Sequence, residues 1–174
     1  QLSHIGVENT GISGISIAVH VADGASRATT LDSIEAVAGT NGGTGHFGIY
    51  LSDAEPTIRS SRLRASGAST VNSALASINN IGGFPSALVI DSVLLGAEDS
   101  ELLGGCADPS GTGFGIQASN SSLEVVGSYI CGGFRGVSLT INGQTRLRRS
   151  IVATSSTAGA FLFETNGSAA IVVL

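Results

Sequence analysis

The chain has 174 residues, of which 42% are hydrophobic and 12% charged, with 25 glycines and a formal net charge of −5. This length is typical of one ordinary domain, and the apolar content excludes a disordered chain. No apolar run approaches the ~20 residues that cross a bilayer, so we expect no membrane-spanning segment. The acidic balance gives no broad basic surface, so nucleic acid is not an expected partner.

The first part of the chain, residues 1–45, is the least regular. Apolar side chains alternate over 15–19 as they do in strands. The apolar residues around Ser33, however, stand at offsets that differ from those of later segments. We therefore expect one domain over 1–174, with an irregular region or an N-terminal coil at 1–45 and clearer repeats over 46–174.

Four later segments share one pattern, in which an aliphatic residue stands three positions before a serine and another stands two positions after it. The segments are 58–63, 89–94, 125–130 and 147–152, and their serines are Ser61, Ser92, Ser128 and Ser150. The serines recur at intervals of 31, 36 and 22 residues. Self-similarity with a period of about 20–50 residues is typical of solenoids, propellers and arrays.

A second, glycine-led strand-like piece accompanies three of these segments, at 48–51, 115–118 and 136–139. In each piece two apolar residues alternate, as do Phe161 and Phe163 near the end of the chain. Glycine and asparagine clusters separate the pieces, and these residues tolerate the positive φ angles of sharp turns. The pattern predicts short strands joined by tight turns.

Two regions interrupt the pattern. Apolar residues over 69–78 have helical spacing but lie between glycine and asparagine, so we expect a loop or one helical turn there. The longest serine interval predicts an inserted loop over 97–113, and the same reasoning marks 66–84. Long loops on a rigid scaffold are where binding usually occurs.

The order of glycine-aliphatic, short polar turn and aliphatic-x-x-Ser-x-aliphatic resembles the repeat of right-handed parallel β-helices, the pectin-lyase-like superfamily in the broad sense. The resemblance covers about two-thirds of the chain. It implies an all-β, right-handed parallel β-helix of about five to six coils, with longer loops between some coils. Its motifs specify a fold and not an activity.

Stacked coils place equivalent residues about 4.8 Å apart. We therefore expect the four serines to form a hydrogen-bonded ladder inside the solenoid. Two aliphatic columns should run beside the ladder and form the core. The first column is Ile58, Val89, Val125 and Leu147, and the second is Leu63, Leu94, Ile130 and Val152.

The resemblance also implies tests for catalysis, because glycan lyases, hydrolases and epimerases share this fold. Hydrolases need paired carboxylates across the scissile bond. No stacked pair is evident, since Asp53 and Glu55 fall in a turn and Asp91 has Ser60, Gly127 and Arg149 as its counterparts. The histidines are scattered, and only Tyr50 and Tyr129 offer sugar-stacking rings with polar tips. We assign no catalytic residue, metal ligand or cofactor.

Two features of the 97–113 loop leave alternatives open. Its acidic residues at 98–101 with Asp108 are either calcium ligands or a solvated loop. Cys106 and Cys131 are 25 residues apart, close to one coil, and are either a disulfide bridge or two small buried thiols. We expect the bridge, because low charge and abundant Ser, Thr, Gly and Asn suggest an exported protein.

Strand alternation points the neighbours of the core positions outward. In the middle coils these neighbours form an aliphatic and aromatic strip framed by arginines, which is a candidate interface; its members are Ile90, Val93, Val126, Tyr129 and Ile151. Exposed patches of this kind usually mark interaction sites. The alternative is that a loop such as 97–113 covers the strip.

The last apolar segment predicts self-association. Ile171 falls where the aliphatic before a serine is expected and Leu174 where the serine is expected, so the chain stops within a coil. Either a missing continuation completes that coil or another subunit does, which makes a homo-oligomer or a filament the expected assembly. The candidate interface residues here are Ile171, Val172, Val173 and Leu174.

These patterns favour a non-enzymatic extracellular or cell-surface scaffold that acts in surface coating, adhesion or self-assembly into fibres. The alternative is a polysaccharide-active lyase or hydrolase, or a glycan-binding module, on the same fold. A groove that combines stacked acids and aromatic rings would favour the alternative.

Overall fold

The computed structural model describes residues 1–11, 14–39, 42–79, 87–96 and 113–154, together with the backbone of 161–163 and 170–173. Within these residues every regular element is a β-strand. The described residues include no helix that is long and apolar enough to cross a membrane. Three consecutive strands, one in each sheet, make up one coil of the solenoid.

Coils 1 to 3 contain β1 (Leu2–Ser3), β2 (Gly6–Asn9), β3 (Ile15–Ala22), β4 (Thr30–Asp32), β5 (Glu35–Ala38), β6 (Gly45–Ser52), β7 (Thr57–Arg59), β8 (Arg62–Ala65) and β9 (Val71–Ile78). Coils 4 to 6 contain β10 (Ala87–Ile90), β11 (Val93–Gly96), β12 (Gly113–Ser119), β13 (Ser122–Val126), β14 (Tyr129–Gly132), β15 (Arg135–Thr140), β16 (Gln144–Arg148), β17 (Ile151–Thr154) and β18 (Phe161–Phe163). The last described strand, β19 (Ala170–Val173), begins a seventh coil.

The strands assemble into three parallel sheets that run the length of the stack. Sheet A takes the first strand of every coil, in the order β1-β4-β7-β10-β13-β16-β19. Sheet B takes the second strands, β2 to β17, and sheet C the third strands, β3 to β18. Each strand therefore pairs with the strand three places later in the chain. This is an all-β parallel solenoid, as the sequence predicts.

Strand register confirms both predicted aliphatic columns. In sheet A the neighbours are Ile58, Val89, Val125 and Leu147. In sheet B they are Leu63, Leu94, Ile130 and Val152. All are buried except the half-buried Val152. Removing these side chains from water is the main stabilising term of the stack.

Sheet C supplies a third side of the core. The three glycine-led pieces lie in β6, β12 and β15, as expected. Their buried aliphatic residues stack as Ile49, Leu75, Ile116 and Val137. By backbone register Phe161 continues this column beside Val137. The three columns form one hydrophobic cluster along the axis.

The first 45 residues carry coil strands in the same register. Leu2 lies beside Leu31, and Leu31 lies beside Ile58 in the sheet A column. The different offsets around Ser33 have a local cause, because Ile34 and not Ser33 occupies the ladder position. The Ile34 amide donates to Ser61 Oγ at 3.1 Å, and Ser33 stands one residue earlier, in the turn.

The expectation of a loop or helical turn over 69–78 is wrong. These residues include β9, which pairs with β6 on one side and β12 on the other. Leu75 stacks between Ile49 and Ile116. Its place in the solenoid core, and not a helix, therefore accounts for an apolar residue at this position. The inserted loop predicted over 66–84 is wrong for residues 71–78, which form β9. Residues 80–86 and 97–112 lie outside the described residues.

The predicted position of Ile171 is also wrong. Val173 lies beside Leu147, and Ile171 lies beside Thr145, two residues earlier. The error comes from coil length, because the step from Leu147 to its neighbour in the next coil is two residues longer than the spacing assumed. Leu174 lies outside the described residues.

The turn between sheets A and B has one conformation in coils 1 to 6. A residue with positive φ precedes the ladder position in each: His4, Ser33, Ser60, Asp91, Gly127 and Arg149. In coils 1 to 5 its amide donates to a carbonyl of the next coil, as from Asp91 to Val126 at 2.9 Å and from Gly127 to Arg148 at 3.0 Å. The turns therefore extend the sheet hydrogen bonding around the corner.

Candidate functional site

The structure brings the four predicted serines together in a continuous ladder. The Ser61 amide donates to Ser92 Oγ at 3.1 Å, and the Ser92 amide donates to Ser128 Oγ at 3.1 Å. The Ser128 amide donates to Ser150 Oγ at 3.2 Å. Ser61, Ser92 and Ser128 are buried, and Ser150 is half-buried.

Each ladder hydroxyl also donates a hydrogen bond. Ser61 Oγ donates to the Arg59 carbonyl at 2.7 Å, and Ser92 Oγ donates to the Ile90 carbonyl at 2.8 Å. Each hydroxyl thus closes its own turn and accepts an amide from the coil before it. Because both roles are filled within the stack, the ladder is structural and holds the sheet A–sheet B corner.

The outward residues beside this corner form the surface that we name the A/B strip. It comprises the residues that flank the turn in coils 4 to 6: Ile90, Asp91, Val93, Val126, Gly127, Tyr129, Arg148, Arg149 and Ile151. Register aligns Ile90 with Val126 and Arg148 on the sheet A side. It aligns Val93 with Tyr129 and Ile151 on the sheet B side.

Two aliphatic side chains of the A/B strip are exposed to solvent. Val93 is 37% exposed and Ile151 is 63% exposed, whereas Ile90, Val126 and Tyr129 are half-buried. The side chains at 171–173, which were also interface candidates, are not described. Val93 and Ile151 thus form the exposed apolar part of the strip. The alternative that residues 97–113 cover the strip stays a prediction, because residues 97–112 lie outside the described residues.

Charged residues continue the strip toward the start of the chain. Arg59 and Arg62 occupy the same two columns in coil 3, and Asp32 and Glu35 occupy them in coil 2. Arg59 binds Asp32 at 2.7 Å, and this hydrogen bond is the main cause that holds the pKa of Asp32 below its usual value.

Glu124 links two cations on the outer face of sheet A. Its carboxylate accepts a hydrogen bond from Arg27 at 3.3 Å, although Arg27 is 97 residues away in the chain, and it forms an ion pair with Arg148 at 3.5 Å. Within the strip, the Asp91 carboxylate lies against Gly127 of the next coil, where a β-carbon would collide with it. The absence of a side chain at position 127 therefore leaves room for the Asp91 carboxylate at the centre of the strip.

Sequence reasoning missed a depression of about 450 Å³ on the outer face of sheet B. It is lined by Gly6, Val7, Glu8, Glu35, Val37 and Arg64. Gly6 pairs with Glu35 and Glu8 pairs with Val37, which places two exposed carboxylates on neighbouring coils. The depression could have been found only from the register of coils 1 and 2, which the offset at Ser33 conceals.

Aromatic rings gather on the outer face of sheet C. The Tyr50 ring meets His20 edge-on at 5.5 Å between centroids and meets Phe47 edge-on at 5.3 Å. Farther along, Phe114 meets Phe134 at 5.8 Å, and the Arg135 guanidinium lies 4.5 Å from the Phe134 centroid. Of the two tyrosines considered from sequence, Tyr50 thus belongs to a ring cluster and Tyr129 to the A/B strip.

The histidines occupy three separate environments. His4 lies in a corner turn, His20 is exposed on sheet C, and His46 is fully buried with Nδ1 2.6 Å from the Ser66 carbonyl oxygen. Over the described ranges no three residues among His, Cys, Asp and Glu gather as a metal site would require. Asp53 lies in a turn after β6.

Cys131 is 3% exposed, and the described residues include no free cysteine. Cys106 and the acidic loop around it lie outside the described residues. The bridge between Cys106 and Cys131 and the calcium alternative for that loop stay predictions.

Comparison of the chain with protein-family models, with curated proteins and with solved structures found no match.

Proposed function

We propose that this protein is a non-enzymatic extracellular or cell-surface scaffold that acts through contacts made by its faces, in surface coating, adhesion or self-assembly into fibres. The observation that carries the proposal is the A/B strip, in which Val93 and Ile151 are exposed beside three half-buried apolar residues. Contiguous apolar surface of this kind usually marks an interaction site.

The rigid stack beneath the strip supports this role. Val93, Tyr129 and Ile151 project from three consecutive parallel strands of sheet B. Hydrogen bonds to the neighbouring strands hold each of these strands along one edge or both. Little conformational entropy is lost when such a surface docks, which favours binding. The strip is narrow, however, so we expect a reversible contact and not a permanent one.

The proposal extends to family and location. The repeat pattern supports a distant place among right-handed parallel β-helices of the pectin-lyase-like kind, and the exported-type composition supports an extracellular site. A bridge between Cys106 and Cys131 would agree with an oxidising compartment. Intact-mass measurement after alkylation, with and without reduction, tests that part; two thiols alkylated in the native protein would contradict it.

Static light scattering over a concentration series tests self-assembly through the strip. The apparent mass of the native protein should rise with concentration, and Ile151→Lys should abolish the rise because association would then bury a lysine charge in the strip. Ile141→Lys is the matched control, since Ile141 is 45% exposed but lies in a turn away from the strip. A constant monomer mass for the native protein contradicts self-assembly.

A second candidate function, binding or cleavage of a polysaccharide, is favoured by one observation. The sheet B depression places Glu8 and Glu35 beside Arg64, and paired carboxylates on one face are what glycosidic cleavage requires. A panel of polysaccharides incubated with native protein and with Glu35→Gln tests it. Release of reducing sugar that depends on Glu35 would favour this function over the scaffold.

A further inference from the structure

The A/B strip is complementary to the same strip of a second copy whose solenoid axis runs in the opposite direction. We propose that two copies of this chain pair side by side through the strip, with antiparallel solenoid axes and a twofold axis at coil 5. The inference rests on the proposed function, because it names the partner and the orientation for the same surface.

The pairing follows from register. A twofold axis that crosses the strip at coil 5 sets each column against the same column of the second copy, and sets coil 4 against coil 6. Asp91 then faces Arg149 of the second copy, and the reverse contact forms at the other end. Both residues have exposed side chains and the same φ of 46°. The backbone therefore turns in the same way at both residues, and the Asp91 carboxylate lies on the coil 5 side of its turn, against Gly127.

The apolar residues match in the same register. Val93 faces Ile151 of the second copy, so the two exposed aliphatic residues of the strip cover one another. Tyr129 and Val126 lie on the twofold axis, so each faces the same residue of the second copy. Gly127 lies at the centre of the corner and adds no side chain there, and the Asp91 carboxylate of the same copy lies against it.

Three alternative arrangements place like charges together. Parallel axes set Asp91 against Asp91 and Arg149 against Arg149. An antiparallel pair centred on coil 4 again sets Asp91 against itself. Shifting the centre halfway between coils 4 and 5 sets Arg59 against Arg148. Like charges juxtaposed at an interface disfavour a pairing, so the charges of the strip favour the register at coil 5 over these three arrangements.

An isologous contact of this kind closes on itself. The strip of each copy is fully used in the pair, so it makes dimers and does not by itself make a filament. Growth into a fibre would need a second contact elsewhere on the solenoid. The strip therefore acts as the pairing surface of the scaffold.

Sedimentation equilibrium of charge-swapped variants tests the orientation. Asp91→Arg and Arg149→Asp should each raise the dimer Kd by roughly tenfold, because each turns two attractive contacts into repulsive ones. The double variant should return to near the native Kd, since the swapped charges face one another again. Asp53→Arg makes the same charge change as Asp91→Arg at an exposed turn residue outside the strip and should leave the Kd unchanged.

The outcomes are distinct. A native dimer whose Kd is unmoved by the single swaps, or not restored by the double variant, overturns the antiparallel register while leaving the strip as an interface. A native protein that stays monomeric overturns the proposed self-assembly as well. If the turn substitutions unfold the chain, Val93→Glu with Ile151→Arg repeats the design: each alone should weaken the dimer, and the pair should restore it.

Discussion

The hydroxyl group of Ser92 makes two hydrogen bonds that no aliphatic side chain could replace. It accepts the buried Ser61 amide and donates to the Ile90 carbonyl. Ser92→Ala would leave that amide without its partner inside the stack. We expect the free energy of unfolding to fall by about 1–3 kcal/mol in a urea titration. Thr70→Ala, which removes a hydroxyl at an exposed position, is the control; equal small losses for both variants would contradict a structural ladder.

The carboxylate of Asp32 links stability to pH. Its pKa is held below the usual 3.8, chiefly by the hydrogen bond from Arg59 and also by Ser33 Oγ at 3.2 Å. A depressed pKa in the folded state adds stability that is present above pH ~4 and is lost as pH falls through the folded-state value.

Asp32→Asn should therefore be less stable than the native protein at pH 7, and the difference should shrink as the pH is lowered below about 4. Urea titrations over this pH range measure the difference directly. A stability gap that stays constant down to the lowest pH at which both proteins fold would show that the ion pair is not its cause.

Among the elements, β16 shows how the core column supports each strand. Leu147 is 2% exposed and stacks on Val125, whereas Ile151 at the start of β17 points to solvent. Leu147→Ala should cost about 2–5 kcal/mol of unfolding free energy, as large-to-small core changes do. Ile151→Ala should cost far less in thermal or chemical denaturation of the monomer. Similar losses at both sites would mean that the inward and outward positions are misassigned.

The elements also show what the sequence could and could not predict. Sheets A and B were predictable over coils 3 to 6 because each serine fixes the phase of the aliphatic residues around it. β9 was missed because Val71, Leu75 and Ile78 have helical spacing, although only Leu75 of the three is fully buried in the solenoid core. The first coils were missed because Ile34 replaces the ladder serine. The Ile34 amide still donates its hydrogen bond to Ser61 Oγ, but the serine that marks the repeat in the sequence is absent.

The same limits apply to the candidate sites. The A/B strip was predictable because alternation from Ser92, Ser128 and Ser150 tells which neighbours face outward. The sheet B depression was not, because Glu8 and Glu35 come together only through pairing between coils that carry no serine marker. Side-chain clusters across coils depend on coil length, which varies and leaves little trace in the sequence.

At the scale of the whole molecule, the described strands form a stack with six steps along sheet A, or about 29 Å at about 4.8 Å per step. A lateral antiparallel pair centred on coil 5 would thicken this rod and lengthen it by only about two steps. End-to-end association would instead nearly double its length. The shape of the assembly therefore separates a face contact from an end contact.

Small-angle X-ray scattering over a concentration series tests the central claim that the protein associates through its A/B face. We predict that the scattering mass doubles with concentration and that the scattering curve of the pair fits two stacks side by side. Ile151→Lys should keep the mass of the monomer at every concentration. A mass that never rises, or a scattering curve that fits two stacks end to end, would contradict the claim.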